Sequence, residues 1–240
     1  MTSIRPGFPR LMSPEMLDTL LEDDPRAIDS RKDLRRINRI MGATGLLLHA
    51  VLSTPTAPRR IVELGAGDGS LMLQLAQRLS SQWTGVHVVL LDRQNVVDHQ
   101  TLNDFSKIGW SVEIVQADIN AWAASGEARQ FDIAIANLFI HHFEAHQIAC
   151  LFNALSACTA LFIACEPRRA RLPLLASRLV GLIGANEVTR KDAVISVQAG
   201  FRDDELSALW SSSIPDWNLI ERRAGLFSHL FIAQRNAHRL

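Results

Sequence analysis

From Arg59 onward, short apolar runs alternate with amphipathic segments, and this alternation constrains the fold more than any other feature of the sequence. Most of the runs are apolar throughout, as expected for strands that are covered on both faces in a parallel sheet. Such an alternation predicts a doubly wound α/β sheet. The predicted strands are Arg60–Leu64, Val86–Leu91, Val112–Ala117, Phe131–Ala136, Leu161–Cys165, Trp217–Glu221 and Leu226–Ala233.

The last two runs are joined by a short segment that contains Gly225, which is the spacing of a β-hairpin. We therefore expect an antiparallel pair at one edge of a seven-stranded, mostly parallel sheet. The predicted α/β domain spans residues 56–240, and a helical insertion interrupts it around residues 168–210.

The first 55 residues are predicted to form a helical extension ahead of this domain. Ser13 and Pro14 are a helix start signal, and the apolar residues that follow predict a helix that continues through Leu21. A second, strongly charged helix is predicted around Ser30–Met41, and a shorter apolar helix follows it. The proline-containing segment Ser53–Pro58 is predicted to be the linker to the main domain.

Composition narrows the function classes. The 240 residues carry 25 basic and 25 acidic side chains, and this zero net charge argues against a nucleic-acid-binding protein with a broadly basic surface. No apolar run approaches the ~18 residues of a membrane span, and the N-terminus lacks the apolar core of a signal peptide. We expect a cytoplasmic protein with buried thiols at Cys150, Cys158 and Cys165, and a homodimer is one option for its assembly.

The first predicted strand runs directly into a glycine-rich loop, Glu63-Leu64-Gly65-Ala66-Gly67-Asp68-Gly69, and an amphipathic helix follows. Glycine lets the backbone approach a ligand closely, and the helix N-terminus attracts anions. A dinucleotide would prefer a third glycine or another small residue at position 70, and Ser70 could serve there. Glu63, however, is a poor neighbour for a pyrophosphate, because both groups are negatively charged. A ligand with both an ammonium group and a carboxylate fits this loop better.

An acidic residue followed by Gly-x-Gly-x-Gly after a strand resembles the first motif of the class I S-adenosylmethionine-dependent methyltransferases. The resemblance implies a Rossmann-like methyltransferase fold and S-adenosylmethionine as the cofactor. It assigns Asp92 to the ribose hydroxyls and Asp118 to the adenine amino group, although either carboxylate could instead be a helix N-cap. The expected cofactor-binding residues are Glu63, Gly65, Ala66, Gly67, Gly69, Asp92, Arg93, Asp118, Ile119 and Asn137.

The fourth predicted strand is followed by Asn137-Leu138-Phe139-Ile140-His141-His142. Methyltransferases that act on nucleobase or glutamine amide nitrogens often carry Asn/Asp-Pro-Pro-Tyr/Phe here, and both prolines are missing. The histidine pair instead resembles small-molecule methyltransferases of the quinone-biosynthesis type, and other segments faintly resemble methyltransferases associated with polyketide synthases. The resemblance implies O-methylation of a phenolic, quinol or polyketide-like acceptor in secondary metabolism.

Histidine suits proton removal from a phenol or enol near neutral pH, so His141 or His142 is the candidate base. Either histidine could instead cap the next helix or pack in the core. Three other functions stay open: C-methylation of a quinone-like ring, a methyltransferase-like binding protein without turnover, and an NAD-dependent oxidoreductase.

Four further features bear on the site. His142 and His146 have the i, i+4 spacing of metal ligands, but no third ligand is evident and we expect no metal. Glu166 is predicted either to face the acceptor or to pair with a nearby arginine. The segment Arg171–Ala185 predicts first a buried helix, and alternatively a wall for an apolar acceptor or a membrane contact. The strand-end acids Glu63, Asp92, Asp118 and Glu166 predict an acidic cleft for a cationic cofactor.

Overall fold

A computed structural model describes residues 8–54, 56–125, 130–210 and 216–236, and residue 55 of the predicted linker lies outside these ranges. The fold is built on one seven-stranded sheet with the strand order β3-β2-β1-β4-β5-β7-β6. The strands are β1 (Arg60–Leu64), β2 (His87–Asp92), β3 (Ser111–Gln116), β4 (Phe131–Asn137), β5 (Thr159–Pro167), β6 (Trp217–Ala224) and β7 (Ser228–Arg235).

The first five strands are parallel, and β7 pairs antiparallel with both β5 and β6. The chain moves outward from β1 to β3 and then returns to place β4 on the other side of β1. This reversal creates the crevice at which open α/β sheets bind their ligands, outside the carboxyl ends of the strands.

The sequence-based prediction of seven strands and a mostly parallel sheet is confirmed, with strand ends that differ by a few residues. The largest shifts at a strand start are two residues, at β5, which begins at Thr159 rather than at Leu161, and at β7 in the hairpin, which begins at Ser228 rather than at Leu226. Gly225 has a φ of +64°, which belongs to a tight turn, and Leu226 is 59% exposed in that turn.

Helices cover both faces of the sheet. They are α1 (Pro25–Met41), α2 (Ala43–Val51), α3 (Ser70–Leu79), α4 (His99–Lys107), α5 (Ile119–Ala124), α6 (Ala145–Cys158), α7 (Arg171–Arg178), α8 (Glu187–Ala199) and α9 (Glu205–Leu209). Within the described ranges, none of them has the length and apolar character needed to cross a membrane.

The predicted helix after Ser13 is wrong, because only a 3-10 turn at Leu17–Thr19 forms there. The backbone N–H groups of Met16 and Leu17 donate to the Asp192 carboxylate on α8, at 2.7 and 2.9 Å, so a distant side chain replaces helical hydrogen bonds.

The second helix, α1, begins five residues before the predicted Ser30. Asp24 accepts a hydrogen bond from the Arg26 N–H at 2.8 Å, and Pro25 occupies the first helical position. Because an N-cap carboxylate and a following proline both favour helix initiation, these two residues set the start of α1.

Two apolar cores lie on the two faces of the sheet. One contains Leu47 of α2 together with Met72 and Leu75 of α3, and the other is built around Phe152 and Phe162. Since α2 contributes to the same core as the sheet, the predicted extension over residues 1–55 and the main domain pack on one another through α2. The division into two domains stays a prediction.

The prediction that all three thiols are buried is wrong for Cys150, which lies on the exposed side of α6. Cys158 and Cys165 are buried in the apolar cores, as expected.

The prediction of one buried helix over Arg171–Ala185 is also wrong. Helix α7 ends at Arg178, and a 3-10 turn covers Val180–Ile183. The buried side of α7 is made of small residues, Pro173 and Ser177, whereas four leucines are exposed: Leu172, Leu175, Leu179 and Leu182.

Candidate functional site

A cavity of about 550 Å³ lies at the carboxyl edge of the parallel strands. The loops that follow β1 to β4 form one wall, and α1, α7 and α8 cover the other side. This volume is in the range of pockets that bind small molecules and cofactors. Its position matches the crevice expected from the strand order.

The glycine loop forms one end of the cavity. Gly65, Gly67 and Gly69 all have positive φ angles, of +68°, +53° and +71°. A Cβ on Gly65 would lie 2.1 Å from the ring of Phe139, whereas a Cβ on Gly67 would meet no atom within 4 Å. The backbone of Gly67 therefore borders open space in the cavity, and a side chain there would project into that space.

Asp92 ties the glycine loop to the end of β2. Its Oδ2 accepts a hydrogen bond from the Gly67 N–H at 2.8 Å, and its Oδ1 accepts one from the Gln94 N–H at 2.9 Å. Because each carboxylate oxygen has two lone pairs, Asp92 can still accept hydrogen bonds from hydroxyl groups in the cavity.

Asp118 is the N-cap of α5. Its Oδ1 accepts hydrogen bonds from the N–H groups of Asn120 and Ala121, at 2.9 and 3.1 Å. Asp118 also lines the cavity, next to the buried side chain of Ile119. The capping role considered from the sequence is therefore present, and it leaves the other carboxylate oxygen beside the cavity.

Glu63 and Asn137 lie in the interior rather than in the described cavity wall. Glu63 is 2% exposed, and its Oε2 has no hydrogen-bond partner among the described residues. Burial raises the pKa of Glu63 well above its usual value, and the nearby Asp68 and Asp92 carboxylates add to the effect. The Oδ1 of Asn137 is likewise buried and unpartnered among the described residues.

The predicted cofactor-binding residues thus fall into two groups. Six of them line the cavity: Gly65, Gly67, Asp92, Arg93, Asp118 and Ile119. The other four support these residues from outside the described wall: Glu63, Ala66, Gly69 and Asn137. Arg93 directs its guanidinium toward the N-terminal segment, where it donates to the backbone oxygen and the carboxylate of Asp18, each at 2.7 Å.

Helix α1 forms a roof over the glycine loop. Arg35 makes an ion pair with Asp68 of the loop, and Asn38 accepts a hydrogen bond from the Asn137 side-chain amide at 3.1 Å. The helix also contributes apolar side chains to the cavity: Leu34, Ile37, Ile40 and Met41.

His141 is buried between two carboxylates. Its Nδ1 lies 2.8 Å from Oε2 of Glu166, and its Nε2 lies 3.3 Å from Oε1 of Glu15. Burial opposes the charged imidazolium, but the hydrogen bonds to Glu15 and Glu166 outweigh burial and raise the pKa of His141 to about 9. His141 is therefore charged at neutral pH and has no free nitrogen with which to accept a proton.

Glu166 takes neither of the two roles predicted for it. It is fully buried and accepts hydrogen bonds from the backbone N–H groups of Phe139 and Ile140, at 3.1 and 2.9 Å. With its contact to His141, it fixes the turn that carries the histidine pair.

The predicted acidic cleft is correct for Asp92 and Asp118, which line the cavity. It is wrong for Glu63 and Glu166, which lie in the interior. Three other acids line the cavity, namely Glu15, Asp18 and Asp192.

His142 is the more accessible member of the pair. Its side chain is 24% exposed, and its Nδ1 lies 3.3 Å from Oδ2 of Asp18. Its Nε2 lies 4.0 Å from Oε2 of Glu15, beyond hydrogen-bond distance. Nδ1 of His142 thus lies within ion-pair distance of Asp18, and its Nε2 has no partner within hydrogen-bond distance among the described residues, in a histidine that lines the cavity.

Ligand-type atoms of Glu15, His141 and His142 all lie within 4.8 Å of one another, which is close enough to consider a metal centre. In the structure, both nitrogens of His141 make hydrogen bonds to carboxylates, which accounts for this cluster as a set of ion pairs and hydrogen bonds. His146, the other metal ligand considered from the sequence, is exposed on α6.

Three residues of the site were not identified from the sequence: Glu15, Asp18 and Phe139. Glu15 is 126 positions from His141 along the chain, and no local pattern links such distant residues. Phe139 covers Gly65. Its position two residues after the end of β4 is the one signal that could have indicated that it contacts the glycine loop.

Comparisons with known proteins agree with this geometry. The family described as "Methyltransferase domain" matches residues 61–160, which include β1 to β4 and the glycine loop. A tRNA1(Val) (adenine(37)-N6)-methyltransferase of Shewanella halifaxensis is 34% identical over 105 residues, which are 44% of this chain and 41% of that protein. A malonyl-[acyl-carrier protein] O-methyltransferase of Paenibacillus is 26% identical over 110 residues, 45% of this chain and 38% of that protein. The chain thus spans about two fifths of the length of these relatives.

Solved structures extend the similarity to most of the chain. The plantazolicin methyltransferase BpumL in complex with SAH superposes with a TM-score of 0.63 at 14% identity, covering 89% of this chain and 92% of that one. An O-methyltransferase family protein from Burkholderia thailandensis gives a TM-score of 0.57 at 15% identity, covering 89% of this chain and 62% of that one. At these identities the agreement concerns the fold.

The chain matches methyltransferases in sequence over residues 61–160, and it matches them in fold over most of its length. It also has the glycine loop, the acids at successive strand ends and the reversal of strand order. Residues 61–160 thus match the methyltransferase-domain family, and the chain as a whole has the Rossmann-like methyltransferase fold.

Proposed function

We propose that the protein transfers a methyl group from S-adenosylmethionine to the hydroxyl group of a small, largely apolar acceptor. One observation carries this proposal: a single cavity joins the glycine loop and Asp92 at one end to His142 in largely apolar surroundings. A cofactor at the glycine loop and an acceptor near His142 would therefore share one enclosed space.

The described residues fit the cofactor. Gly67 leaves its backbone open to the cavity, and Asp92 and Asp118 offer carboxylate oxygens to hydroxyl and amino groups. Glu63 has a buried oxygen without a partner among the described residues near the loop, and a cofactor ammonium group bound there would favour the carboxylate form, against the burial that raises the pKa of Glu63. When bound, S-adenosylmethionine supplies a methyl group that is already activated by the sulfonium.

Methyl transfer from an activated donor requires alignment and, for a hydroxyl acceptor, removal of one proton. We assign the proton to Nε2 of His142, because Asp18 orients the ring through Nδ1 at 3.3 Å. His141 is a positioning residue in this proposal, since it links Glu15 of the N-terminal segment to Glu166 at the end of β5.

The acceptor class follows from the walls of the cavity. Apolar side chains from α1 and from the turn after α7 dominate its outer part, among them Leu34, Ile37, Leu179, Val180 and Ile183. The tRNA methyltransferases align over about two fifths of this chain, and α1 forms a roof over the cavity, which favours a small acceptor over a nucleic acid. Three unpaired thiols suit the reducing cytoplasm, which is the compartment we propose.

The first prediction concerns cofactor binding. S-adenosylhomocysteine at about 100 times its dissociation constant should stabilise the protein by ~2.7 kcal/mol and raise Tm by roughly 5–10 °C. Gly67→Arg should abolish the shift, because a Cβ at Gly67 enters open cavity space. Differential scanning fluorimetry measures both.

Gly109→Arg is the matched control, since Gly109 also has a positive φ, of +76°, and open space at its Cβ, and it does not line the described cavity. This variant should keep the full shift. A shift with NAD and none with S-adenosylhomocysteine would overturn the proposal in favour of an oxidoreductase.

The second prediction concerns the base. With an acceptor found by mass spectrometry from a panel of phenols, quinols and polyketides, His142→Asn should lower kcat by about 10²–10³-fold. The S-adenosylhomocysteine shift should be unchanged, because His142 is assigned to the acceptor. His146→Asn, which alters an exposed histidine on α6, should leave kcat at the wild-type value.

The same assay separates the alternatives. Fragment masses distinguish a methyl group on oxygen from one on carbon, and C-methylation would replace the O-methylation assignment. Methylation of a tRNA transcript without methylation of any panel compound would refute the small-molecule acceptor. Dialysis against EDTA should leave turnover unchanged, since no metal is expected.

A further inference from the structure

The exposed face of α7 and the turn that follows it is apolar to an extent not explained by packing. Leu172, Leu175 and Leu182 are 50%, 56% and 83% exposed, although leucine is among the residues most often buried. A contiguous exposed apolar surface of this kind marks an interaction site. We call the face formed by Leu172, Leu175, Leu179 and Leu182 the leucine face.

The leucine face continues into the cavity. Leu179 and Ile183 line the cavity while they remain 49% and 38% exposed, and Ile40 of α1 lines it while 57% exposed. Side chains that are exposed and also line the cavity mark its mouth, and these three are apolar. An acceptor that enters between them meets apolar side chains first and His142 further inside.

The charged residues of the segment that carries the leucine face have one sign. Between Glu166 and Glu187 the sequence contains four arginines and no acidic residue. Arg169 is buried against Glu205, but Arg171 and Arg178 are exposed and make no ion pair with any residue that the structure describes. Exposed leucines beside unpaired arginines complement a surface that is apolar inside and anionic outside, such as a bilayer of anionic phospholipids.

We propose that the leucine face docks on an anionic phospholipid bilayer and that the acceptor is a lipid-like molecule that passes from the bilayer through the mouth into the cavity. The proposal rests on the proposed function for the fate of the acceptor, but the docking itself needs no turnover. Apolar burial supplies adhesion, and Arg171 and Arg178 supply the preference for anionic lipid.

The test is flotation of the full chain with two kinds of vesicle, phosphatidylcholine alone and equal parts of phosphatidylcholine and phosphatidylglycerol. The wild type should float with the mixed vesicles, and high salt should weaken this binding. The double variant Leu175→Gln, Leu182→Gln should lower the partition coefficient by at least about tenfold. The double variant Arg171→Gln, Arg178→Gln should lower it by about fivefold for each charge, on anionic vesicles alone.

Leu226→Gln is the matched control, because Leu226 is 59% exposed in the turn before β7, away from the leucine face. It should float like the wild type. None of the exchanged side chains lines the described cavity, so all variants should keep the S-adenosylhomocysteine shift. If the wild type shows no thermal shift with S-adenosylhomocysteine, the proposed function is refuted. The flotation result would still decide whether the leucine face binds the bilayer.

Three results would overturn the docking proposal. The first is no flotation with either kind of vesicle. The second is equal flotation of the wild type and the leucine variant. The third is a wild type that is a dimer in analytical ultracentrifugation while the leucine variant is a monomer. In that case a second copy of the chain, and not a bilayer, would cover the leucine face.

Discussion

At the scale of the residue, the two adjacent histidines have different chemistry because different groups surround them. His141 faces Glu15 and Glu166 with both ring nitrogens, whereas His142 contacts Asp18 through Nδ1 alone. A charged histidine between two buried carboxylates holds the N-terminal segment against the end of β5. In the mechanism that we propose, the accessible neighbour His142 accepts the proton of the acceptor.

The third prediction follows from the raised pKa of His141, about 9. Because this folded-state pKa lies above the unfolded value near 6.5, the stabilisation is fully present below about pH 6.5 and is lost as the pH rises through about 9. The free energy of unfolding should fall over this range, by roughly 2–3 kcal/mol from His141. Urea unfolding at several pH values measures the slope.

Glu63 adds a slope of the same sign, since its pKa is also raised, so the contribution of His141 is the difference between the wild type and His141→Gln. His146→Gln should retain the wild-type slope. An NMR titration of the wild-type histidines tests the pKa even if His141→Gln fails to fold. A His141 resonance that titrates near pH 6.5 would contradict the prediction.

At the scale of the element, α1 is held over the site by polar contacts with α8. Asp33 of α1 is 5% exposed, and its Oδ2 accepts hydrogen bonds from the Asn186 N–H at 2.7 Å and from the Thr189 hydroxyl at 3.1 Å. The Thr189 hydroxyl also lies 2.9 Å from the Ser30 hydroxyl. These buried contacts join the roof of the cavity to the insertion that carries the leucine face.

The fourth prediction compares two aspartates on α1. Asp33→Ala should lower the free energy of unfolding by about 2 kcal/mol, because it leaves the half-buried Asn186 N–H without its acceptor and removes one of the two partners of the buried Thr189 hydroxyl. It also breaks the ion pair with Arg36. Asp29→Ala removes an exposed ion pair with Lys32 on the same helix and should cost less than ~0.5 kcal/mol. Urea midpoints with unchanged m values provide the comparison.

Equal effects of the two substitutions would show that the α1–α8 contact does not stabilise the fold. The comparison also bears on the site, because Asp33→Ala loosens the helix that carries Leu34 and Ile37 into the cavity. The Asp29 side chain faces solvent, and its ion pair among the described residues is with Lys32.

At the scale of the whole molecule, the elements that local patterns define well were predictable. Most of the strands are continuous apolar runs, and the strand after Arg59, followed by three alternating glycines, identified the cofactor end of the cavity. The short hairpin segment with Gly225 predicted the antiparallel edge. Each of these signals depends on residues close together in the sequence.

Predictions failed where a distant partner decides the local structure. The Ser13–Leu21 segment carries a helix start signal, yet Asp192 binds its backbone and only a 3-10 turn forms. The Arg171–Ala185 segment is apolar on nearly all sides, so its sequence could not show that Pro173 and Ser177 would face inward and the leucines outward.

Local sequence patterns predict the seven strands, their mostly parallel direction and the glycine loop with the acids at the strand ends, because periodicity and turn chemistry act over a few residues. Contacts between distant segments set the raised pKa of His141, the acids that reach the cavity and the face of α7 that is exposed. Glu15 meets His141 across 126 positions of chain, and a pKa or an exposed face depends on such distant neighbours.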